Sequence, residues 1–370
     1  MSEVSAATRP IKTIGILTSG GDCAGLNGVI RAVVLRAVHG YGWRVLGIRQ
    51  GTAGLMRRPV DAELLDPERA DFNLLRQGGT ILGTTNTGDP FAFPMPDGRK
   101  IDRATEVAQG YHLLGLDALI GSGGDGSFSI LRRLAQKGSI RLVGIPKTID
   151  NDVGATESSV GYDTAVMVAA EALDRLQPTA ASHDRVMVLE VMGRDAGFIA
   201  LHSGLAGTAD VILIPEIPYD IERVCDKIMS RDRAGRHFSI VVVAEGAFPK
   251  GGGVSLIGES LPGQARRLGG LCEPIAREIS SITGKETRSL VLGHLQRGGM
   301  PTGYDRLLAT RFGGAAVQAV ANEKWGHMVA LQSPHIVTIP IEEALREPKR
   351  VDPMHDTVLT ARATGISFGD

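Results

Sequence analysis

Cysteine is scarce in this chain of 370 residues, where only Cys23, Cys225 and Cys272 occur. Their odd number and wide spacing argue against a disulfide scaffold and against a zinc site. They favour a reducing compartment, which predicts a cytoplasmic location. Aromatic residues make up only 4% of the sequence, too few for a surface that stacks nucleic-acid bases.

The chain also lacks an excess of charge and a long apolar run. Lysine and arginine number 40 and aspartate and glutamate 41, for a net charge of −1. Such a balance gives no drive toward non-specific binding of nucleic acid or anionic membranes. No segment approaches the roughly 20 apolar residues of a membrane-spanning helix. We therefore expect neither nucleic acid nor a membrane as a partner.

Glycine is abundant: it makes up 48 of the 370 residues, or about 13%, compared with a usual share of about 7%. Much of it follows short apolar runs such as Ile14–Leu17, Ala118–Ile120 and Val186–Val191. Short buried strands that alternate with helical patterns predict βαβ units, hence an α/β fold with mostly parallel sheets. Ligands of such folds bind outside the carboxyl ends of the strands, where the polar clusters of this sequence fall.

Two glycine-rich turns are candidates for phosphate binding. Gly20-Gly21-Asp22 follows the first apolar run, and Gly123-Gly124-Asp125-Gly126-Ser127 follows a later one. Backbone without side chains can approach a phosphate, and a carboxylate can bind a hard cation directly or through water. A magnesium-bound polyphosphate needs both features. The alternative for each motif is a tight strand-to-helix turn with a capping aspartate.

The sharpest motif is Pro146-Lys147-Thr148-Ile149-Asp150-Asn151-Asp152, directly after an apolar strand. Phosphoryl transfer needs a base near the attacking hydroxyl and a separate carboxylate for a metal, and one turn with two aspartates supplies both. The alternative is a turn rich in Asp and Asn side chains that cap their own backbone.

Cationic residues flank the later apolar strands, and an acid ends one of them. Arginines at strand ends are typical binders of a substrate phosphate, although a single arginine more often forms a surface ion pair. Glu245 is placed to accept hydrogen bonds from sugar hydroxyls, or to cap a helix. The cationic set is Arg185, Arg194, Arg288, His294 and Arg297.

Taken together, these motifs resemble the 6-phosphofructokinase family. The resemblance runs from about Ile11 to Arg311 and rests on the stretches ILTSGGDCAGLNGVIR, GGTILG, GSGGDGS, GIPKTIDND, SHDRVMVLEVMGRDAG, VVVAEGA and TGKETRSLVLGHLQRGGMPTGYDR. It implies two doubly wound α/β domains with the active site in the cleft between them. The implied donor domain is 1–161 plus about 296–346, and the implied sugar-phosphate domain is 162–295 plus about 347–370.

The resemblance implies transfer of a phosphoryl group from ATP to the 1-hydroxyl of fructose 6-phosphate, with Mg²⁺, in glycolysis. By position, Asp150 is the expected base, Asp125 and Asp152 the magnesium-linked acids, and Thr148 and Arg194 the transition-state contacts. The donor is expected to contact Gly21, Gly124, Asp125, Gly126, Ser127 and Lys147. Fructose 6-phosphate is expected to contact Thr148, Asp150, Arg185, Met192, Gly193, Arg194, Glu245, Arg288, His294 and Arg297.

Family oligomers draw two of these residues, Arg185 and Arg288, from a neighbouring subunit. The resemblance therefore implies a homodimer or homotetramer with composite active sites.

Two positions disagree about the donor. Gly126 is typical of members that use ATP, because an acid there crowds the α-phosphate of the nucleotide. Lys147 is typical of members that use pyrophosphate. We favour ATP, since a missing side chain leaves space and a carboxylate would add both bulk and repulsion. Asn86 stands where many bacterial members have an arginine that contacts the transferring phosphate, and Lys147 is a candidate replacement.

Three other functions compete with this one. A pyrophosphate-dependent, reversible enzyme differs only in its donor. A GGDG-type lipid or NAD kinase lacks the PKTIDND, MGR and LGHLQRGG combination. A non-catalytic subunit that only binds sugar phosphate is expected to have lost an acid among Asp125, Asp150 and Asp152, and all three are present.

Overall fold

A computed structural model describes residues 11–255 and 268–370. Parts of both predicted domains, 1–10 and 256–267, lie outside these residues. The described chain contains thirteen strands: β1 (Thr13–Thr18), β2 (Arg44–Ile48), β3 (Ala62–Leu65), β4 (Phe93–Pro94), β5 (Lys100–Ile101), β6 (Ala118–Gly123), β7 (Leu142–Pro146), β8 (Val186–Val191), β9 (Val211–Leu213), β10 (Ser239–Ala244), β11 (Thr287–Val291), β12 (His327–Gln332) and β13 (His335–Pro340).

Helices connect most of these strands, and none of the described ones is long and apolar enough to cross a membrane. The α-helices are α1 (Leu26–Tyr41), α2 (Thr52–Met56), α3 (Phe72–Arg76), α4 (Ala104–Leu113), α5 (Asp125–Gly138), α6 (Tyr162–Ser182), α7 (Phe198–Ala206), α8 (Ile221–Arg233), α9 (Cys272–Thr283), α10 (Gly303–Ala321), α11 (Ile341–Arg346) and α12 (Asp356–Ala363). A 3₁₀ helix spans Gly293–Arg297.

The larger sheet has seven strands in the order β13-β12-β7-β6-β1-β2-β3, and its central five strands are parallel. Every residue of β6 and β7 is buried, as expected for strands covered on both faces. One face packs against α1 and α10, and the other against α2, α4 and α5. Side chains such as Phe312 and Phe128 fill these two layers and are fully buried.

The smaller sheet has four parallel strands in the order β11-β8-β10-β9. The helix α6 leads into it from the larger sheet, and the C-terminal residues return to its edge. Ser367 exchanges backbone hydrogen bonds with Asp210 and Ile212, beside β9. The last residues of the chain therefore complete the smaller sheet.

The predicted fold class, α/β with mostly parallel sheets, is confirmed. The predicted domain boundaries stay a prediction. Within each sheet, the parallel strands run in one direction. The loops that follow them therefore lie together at the carboxyl end of that sheet.

Candidate active site

The loops that follow β1, β6 and β7 lie side by side at the carboxyl ends of these strands, because the three strands are neighbours in the larger sheet. The Ser19 amide donates to the Ser122 carbonyl at 2.9 Å, and the Lys147 amide donates to the Gly123 carbonyl at 3.0 Å. The two glycine-rich turns and the aspartate motif, far apart in sequence, thus form one surface.

The first glycine turn is supported from beneath by a lysine. Lys147 is only 3% exposed, and its Nζ donates to the carbonyl oxygens of Ser19 at 2.8 Å and Gly21 at 2.6 Å. Burial lowers the pKa of the Lys147 ammonium. The turn does not sit directly on a helix, since α1 begins only at Leu26. Its shape therefore depends on side-chain support.

The second glycine turn opens directly into a long helix. Gly124 precedes α5, whose first residue, Asp125, accepts a hydrogen bond from the Gly126 amide at 2.6 Å. Asp125 and Gly126 are both exposed. A Cβ atom placed on Gly126 would meet no atom within 4 Å. The turn thus offers open space and the amide groups of a helix N-terminus, which favour an anion.

The aspartate motif carries two partly buried acids, each with one buried oxygen atom that is free. The Oδ1 atoms of Asp150 and Asp152 are buried and have no hydrogen-bond partner among the described residues. Asn151 fixes the turn, because its side chain accepts from the Ser159 amide at 3.0 Å and donates to the Glu157 carbonyl at 3.2 Å. The asparagine holds the loop while the aspartates on either side keep oxygen atoms available.

Electrostatics make Asp150 more basic than an ordinary carboxylate. Burial and the neighbouring Asp152 raise the pKa of Asp150 to about 7, against the opposing charge of Arg297. Burial and Asp125 also raise the pKa of Asp152. A carboxyl group with a pKa near neutrality is matched to proton transfer.

Loops of the smaller sheet form the opposite wall. The Met192 amide donates to the buried Gln296 side chain at 3.2 Å, and the Glu245 amide donates to the Val191 carbonyl at 2.9 Å. Gly193 accepts from the amide of Gly246 at 3.1 Å. Burial and Glu190, more than offsetting the nearby arginines, raise the pKa of Glu245 to about 7.

The two walls enclose a cleft of about 550 Å³. The smaller sheet contributes two arginines to it, and the larger sheet contributes the glycine turns and the aspartates. The predicted site residues that line the cleft are Gly21, Gly124, Asp125, Gly126, Ser127, Lys147, Thr148, Asp150, Asp152, Arg194 and Arg297. Met192, Gly193 and Glu245 lie in the adjoining loops and are not part of its lining.

Arg297 crosses from one wall to the other. Its Nη1 donates to the Asp22 carbonyl at 3.0 Å. A Cβ atom at Gly21 would lie 2.7 Å from the same nitrogen, so a larger residue there would displace the guanidinium. The glycine predicted to make room for a donor phosphate therefore also makes room for an arginine of the protein itself.

The structure does not bring Arg185 and Arg288 to this cleft. Arg185 directly precedes β8, and Arg288 pairs in register with Met187, near the amino end of that strand. About seven residues of extended chain, or roughly 20 Å, separate Arg185 from Met192. Both arginines contact Glu286, at 2.9 Å and 2.5 Å. His294 lies exposed on the 3₁₀ helix.

The sequence analysis missed several polar residues of the cleft. Asp195 lines it beside Arg194, 3.6 Å from the guanidinium Nε. Thr85, Thr87 and Asp89 line it from the segment that also contains Asn86. The signal was present, because Asp195 follows Arg194 directly and the others stand in the GTTNTGDP run.

The acids of the cleft suit a hard cation with only partial protein ligation. Asp125 and Asp152 offer carboxylate oxygens, and one of these is buried without a partner. In the described part of the chain, no three His, Cys, Asp or Glu side chains lie close enough together to hold a metal ion. This donor set fits Mg²⁺, which keeps water ligands and shares substrate phosphates.

The cleft combines glycine-rich turns, paired acids and facing arginines between two sheets of mostly parallel strands. This combination defines a phosphoryl-transfer class of α/β protein. The family described as Phosphofructokinase matches residues 13–320, and the chain belongs to this family. It is 56% identical to the ATP-dependent 6-phosphofructokinase 1 of Nostoc sp., over 97% of this chain and 99% of that protein. It is 51% identical to the ATP-dependent 6-phosphofructokinase of Chloroflexus aurantiacus, over 96% and 98%.

Solved structures agree with this assignment. Pichia pastoris phosphofructokinase in the T-state matches 93% of this chain with a TM-score of 0.77 and 30% identity, and the match spans 39% of the longer Pichia chain. The pyrophosphate-dependent phosphofructokinase of Marinobacter aquaeolei matches 96% of this chain and 88% of that chain, with a TM-score of 0.77. At 22% identity, the second likeness shows the fold alone.

Lys147→Met tests the role of the buried lysine. The change removes two charge-assisted hydrogen bonds, each worth about 1.5–3 kcal/mol, so the free energy of unfolding should fall by about 3 kcal/mol or more. Urea denaturation measures this loss, and the exposed Lys324→Met is the control. A variant with unchanged stability that has lost only donor affinity would show instead that Lys147 is chiefly a ligand of the donor.

Proposed function

We propose that the chain transfers a phosphoryl group from ATP to the 1-hydroxyl of fructose 6-phosphate, giving fructose 1,6-bisphosphate at the committed step of glycolysis. The observation that carries the proposal is Asp150, a partly buried acid of raised pKa with one free buried oxygen, in the lining of a cleft between glycine-rich turns and arginines. The names of relatives at 51–56% identity support the same reaction. Its expected location is the cytoplasm.

In the proposed reaction, the 1-hydroxyl oxygen attacks the γ-phosphorus while the bond to the β-phosphate oxygen breaks. Asp150 accepts the hydroxyl proton, and ADP leaves. A carboxyl group with a pKa of about 7 is partly ionised at neutral pH and still basic enough to accept a proton. Arg194 faces it from the opposite wall and is placed to stabilise charge on the transferring group.

Asp125 and Asp152 are the residues that would hold Mg²⁺, which supplies positive charge to the polyphosphate when bound. Their own part is to keep carboxylate oxygens aimed at the cleft. Thr148 contributes to the shape of this loop, because its Oγ1 accepts a hydrogen bond from the Asp150 amide at 3.2 Å.

Two observations favour ATP over pyrophosphate. The space around Gly126 is open, so a nucleotide's α-phosphate meets no side chain there. Lys147 is engaged with two carbonyl groups beneath the first turn. The residue typical of pyrophosphate users therefore supports a loop in this chain. Asn86 stands where many bacterial members have an arginine that contacts the transferring phosphate. Arg297, which crosses the cleft near Asp150, is a better candidate than Lys147 to supply that positive charge.

The sugar-phosphate side is proposed to be completed by a second copy of the chain. Arg185 and Arg288 are predicted ligands of the 6-phosphate, yet they lie at the far end of β8 and β11 from their own cleft. β11 is an edge strand with Leu290 and Val291 exposed, which gives a second copy an apolar surface to cover. A homodimer or homotetramer with composite sites reconciles these facts.

A non-catalytic sugar-phosphate-binding subunit is the less favoured candidate. Such a protein has no need to keep two partly buried aspartates on one turn, since they repel each other and oppose an anionic ligand. Retention of Asp150 and Asp152 next to phosphate-binding turns favours turnover.

Asp150→Asn tests the proposed reaction. The substitution keeps the shape of the side chain and removes proton acceptance, so kcat for ATP-dependent phosphorylation of fructose 6-phosphate should fall by about 10²–10⁴-fold. The KM for fructose 6-phosphate should change little, because its phosphate is held elsewhere. The exposed Asp226→Asn on α8 is the matched control. Near wild-type kcat in Asp150→Asn would exclude this residue as the base.

Gly126→Asp tests the donor assignment. A carboxylate facing the α-phosphate region should depress kcat/KM with ATP more than with pyrophosphate, which lacks that phosphate. Gly126→Asn adds similar bulk without charge and separates repulsion from crowding. If the ratio of the two kcat/KM values does not move toward pyrophosphate in Gly126→Asp, the account of this position is wrong.

Mixing two inactive variants tests the composite site. After dissociation and reassembly, Asp150→Asn and Arg288→Ala subunits should form some sites that have both wild-type residues, and activity should rise above either parent. Mixing Asp150→Asn with Asp125→Asn is the control, because both residues belong to the same subunit's cleft. Absence of recovery in the first mixture, with subunit exchange verified, would contradict the shared site.

A further inference from the structure

The segment 347–351, which we call the strap, lies between α11 and α12 and contacts both walls of the cleft. On the larger-sheet side it reaches the aspartate loop. The Lys349 amide donates to the Asp152 carbonyl at 2.8 Å. Its Nζ donates to the carbonyl oxygens of Thr156 at 3.0 Å and Glu157 at 2.8 Å. One residue thus makes three hydrogen bonds to the loop that carries both acids.

The start of the strap also presses closely on this loop. A Cβ atom placed on Gly154 would lie 2.5 Å from the Glu347 carbonyl oxygen and 2.6 Å from that of Ala344. Backbone packs closely against backbone here, so a side chain at position 154 would clash with it.

On the smaller-sheet side, the strap is joined to the arginine loop through one carboxylate. The Val351 amide donates to Glu216 Oε1 at 2.8 Å. The Gly197 amide donates to the same carboxylate, at 3.0 Å to Oε1 and 3.2 Å to Oε2. Gly197 ends the loop that holds Arg194 and precedes α7. Glu216 therefore links the strap to the loop that carries Arg194.

The strap is also packed against both walls. Val351 is 3% exposed and belongs to the main hydrophobic core. The Lys349 Nζ lies 5.2 Å from the ring centroid of Phe198, the first residue of α7, so the lysine touches both walls. Asp152 and Arg194 belong to loops of different sheets and share no described hydrogen bond, and the strap supplies a continuous path between them.

We propose that Lys349 and Glu216 are positioning residues, which set the relative placement of Asp150 and Asp152 on one wall and Arg194 and Asp195 on the other. The inference rests on the proposed phosphoryl transfer, whose reacting groups must be aligned across the cleft. Neither residue lines the cleft itself. A displacement of about 1 Å at a reacting group lowers a rate by about 10²-fold, so loss of the strap should act on the chemical step.

A double-mutant cycle in the full-length protein tests the proposal. Lys349→Met and Glu216→Ala should each lower kcat by about 10–100-fold, with KM values for ATP and fructose 6-phosphate changed less than about threefold. Because both residues act through one strap, the double variant should lose little more than the worse single variant. Lys349→Arg should recover most of kcat, since it retains a charged donor. The exposed Arg346→Met on α11 is the matched control.

Hydrogen exchange provides a readout that is independent of activity. Lys349→Met should speed amide exchange in 193–199 as well as in 150–157, and Glu216→Ala should speed it in 150–157. Losses in kcat that multiply in the double variant, or faster exchange only on the substituted side, would overturn the proposal. If the wild type does not phosphorylate fructose 6-phosphate, the proposed function fails while the exchange measurement still tests the strap.

Discussion

Burial of two carboxylate oxygens on one turn is the constraint on which the rest of the site depends. Asp150 and Asp152 stand on one tight turn, each with a buried oxygen that lacks a partner among the described residues. The charge of Asp152 adds to burial in raising the pKa of Asp150. An isolated turn of this kind would relax by exposing both side chains to water. Here Asn151 holds the backbone, and Arg297 brings positive charge from the smaller sheet. The same burial, together with the charge of Asp152, raises the pKa of Asp150 to about 7.

The two sheets divide the work of the cleft. The larger sheet supplies turns without side chains and carboxylates, which suit a polyphosphate and a hard cation. The smaller sheet supplies Arg194 and Arg297, which suit a phosphorylated sugar, and Glu245 lies in an adjoining loop. All these loops follow parallel strands and so lie at the carboxyl ends of the sheets. Motifs that are distant in sequence are therefore brought together because their strands are neighbours. Alignment across the cleft is a separate requirement, and the contacts of Lys349 and Glu216 are suited to meet it.

Much of this arrangement could be predicted from the sequence because strand-end loops are local features. The PKTIDND run and the glycine turns each follow an apolar run, which predicts that they lie at the carboxyl ends of strands. The predicted α/β fold class is confirmed. The direction of a side chain is different, because it depends on packing. Nothing local shows that Lys147 turns beneath the first loop, or that Arg297 lies against Gly21, 276 residues away in the chain.

The arginines also show how far the sequence predicts the site. Arg194 and Arg297 follow strands and reach the cleft, whereas Arg185 and Arg288 stand near the beginning of strands and do not. Position along the strand decides this difference, because ligands of parallel sheets bind at the carboxyl ends of the strands. The roles carried over for these residues stay predictions, and the placement of Arg185 and Arg288 is compatible with them only if a second copy contributes its own arginines.

A crystal structure with magnesium, a non-hydrolysable ATP analogue and fructose 6-phosphate tests the central claim most directly. The quantity to measure is the distance from the Asp150 carboxylate to the 1-hydroxyl oxygen of the sugar. The account predicts about 2.6–3.2 Å, with that hydroxyl pointing at the terminal phosphate of the analogue. A structure in which the 1-hydroxyl lies beyond hydrogen-bond reach of Asp150 and against another base would contradict it.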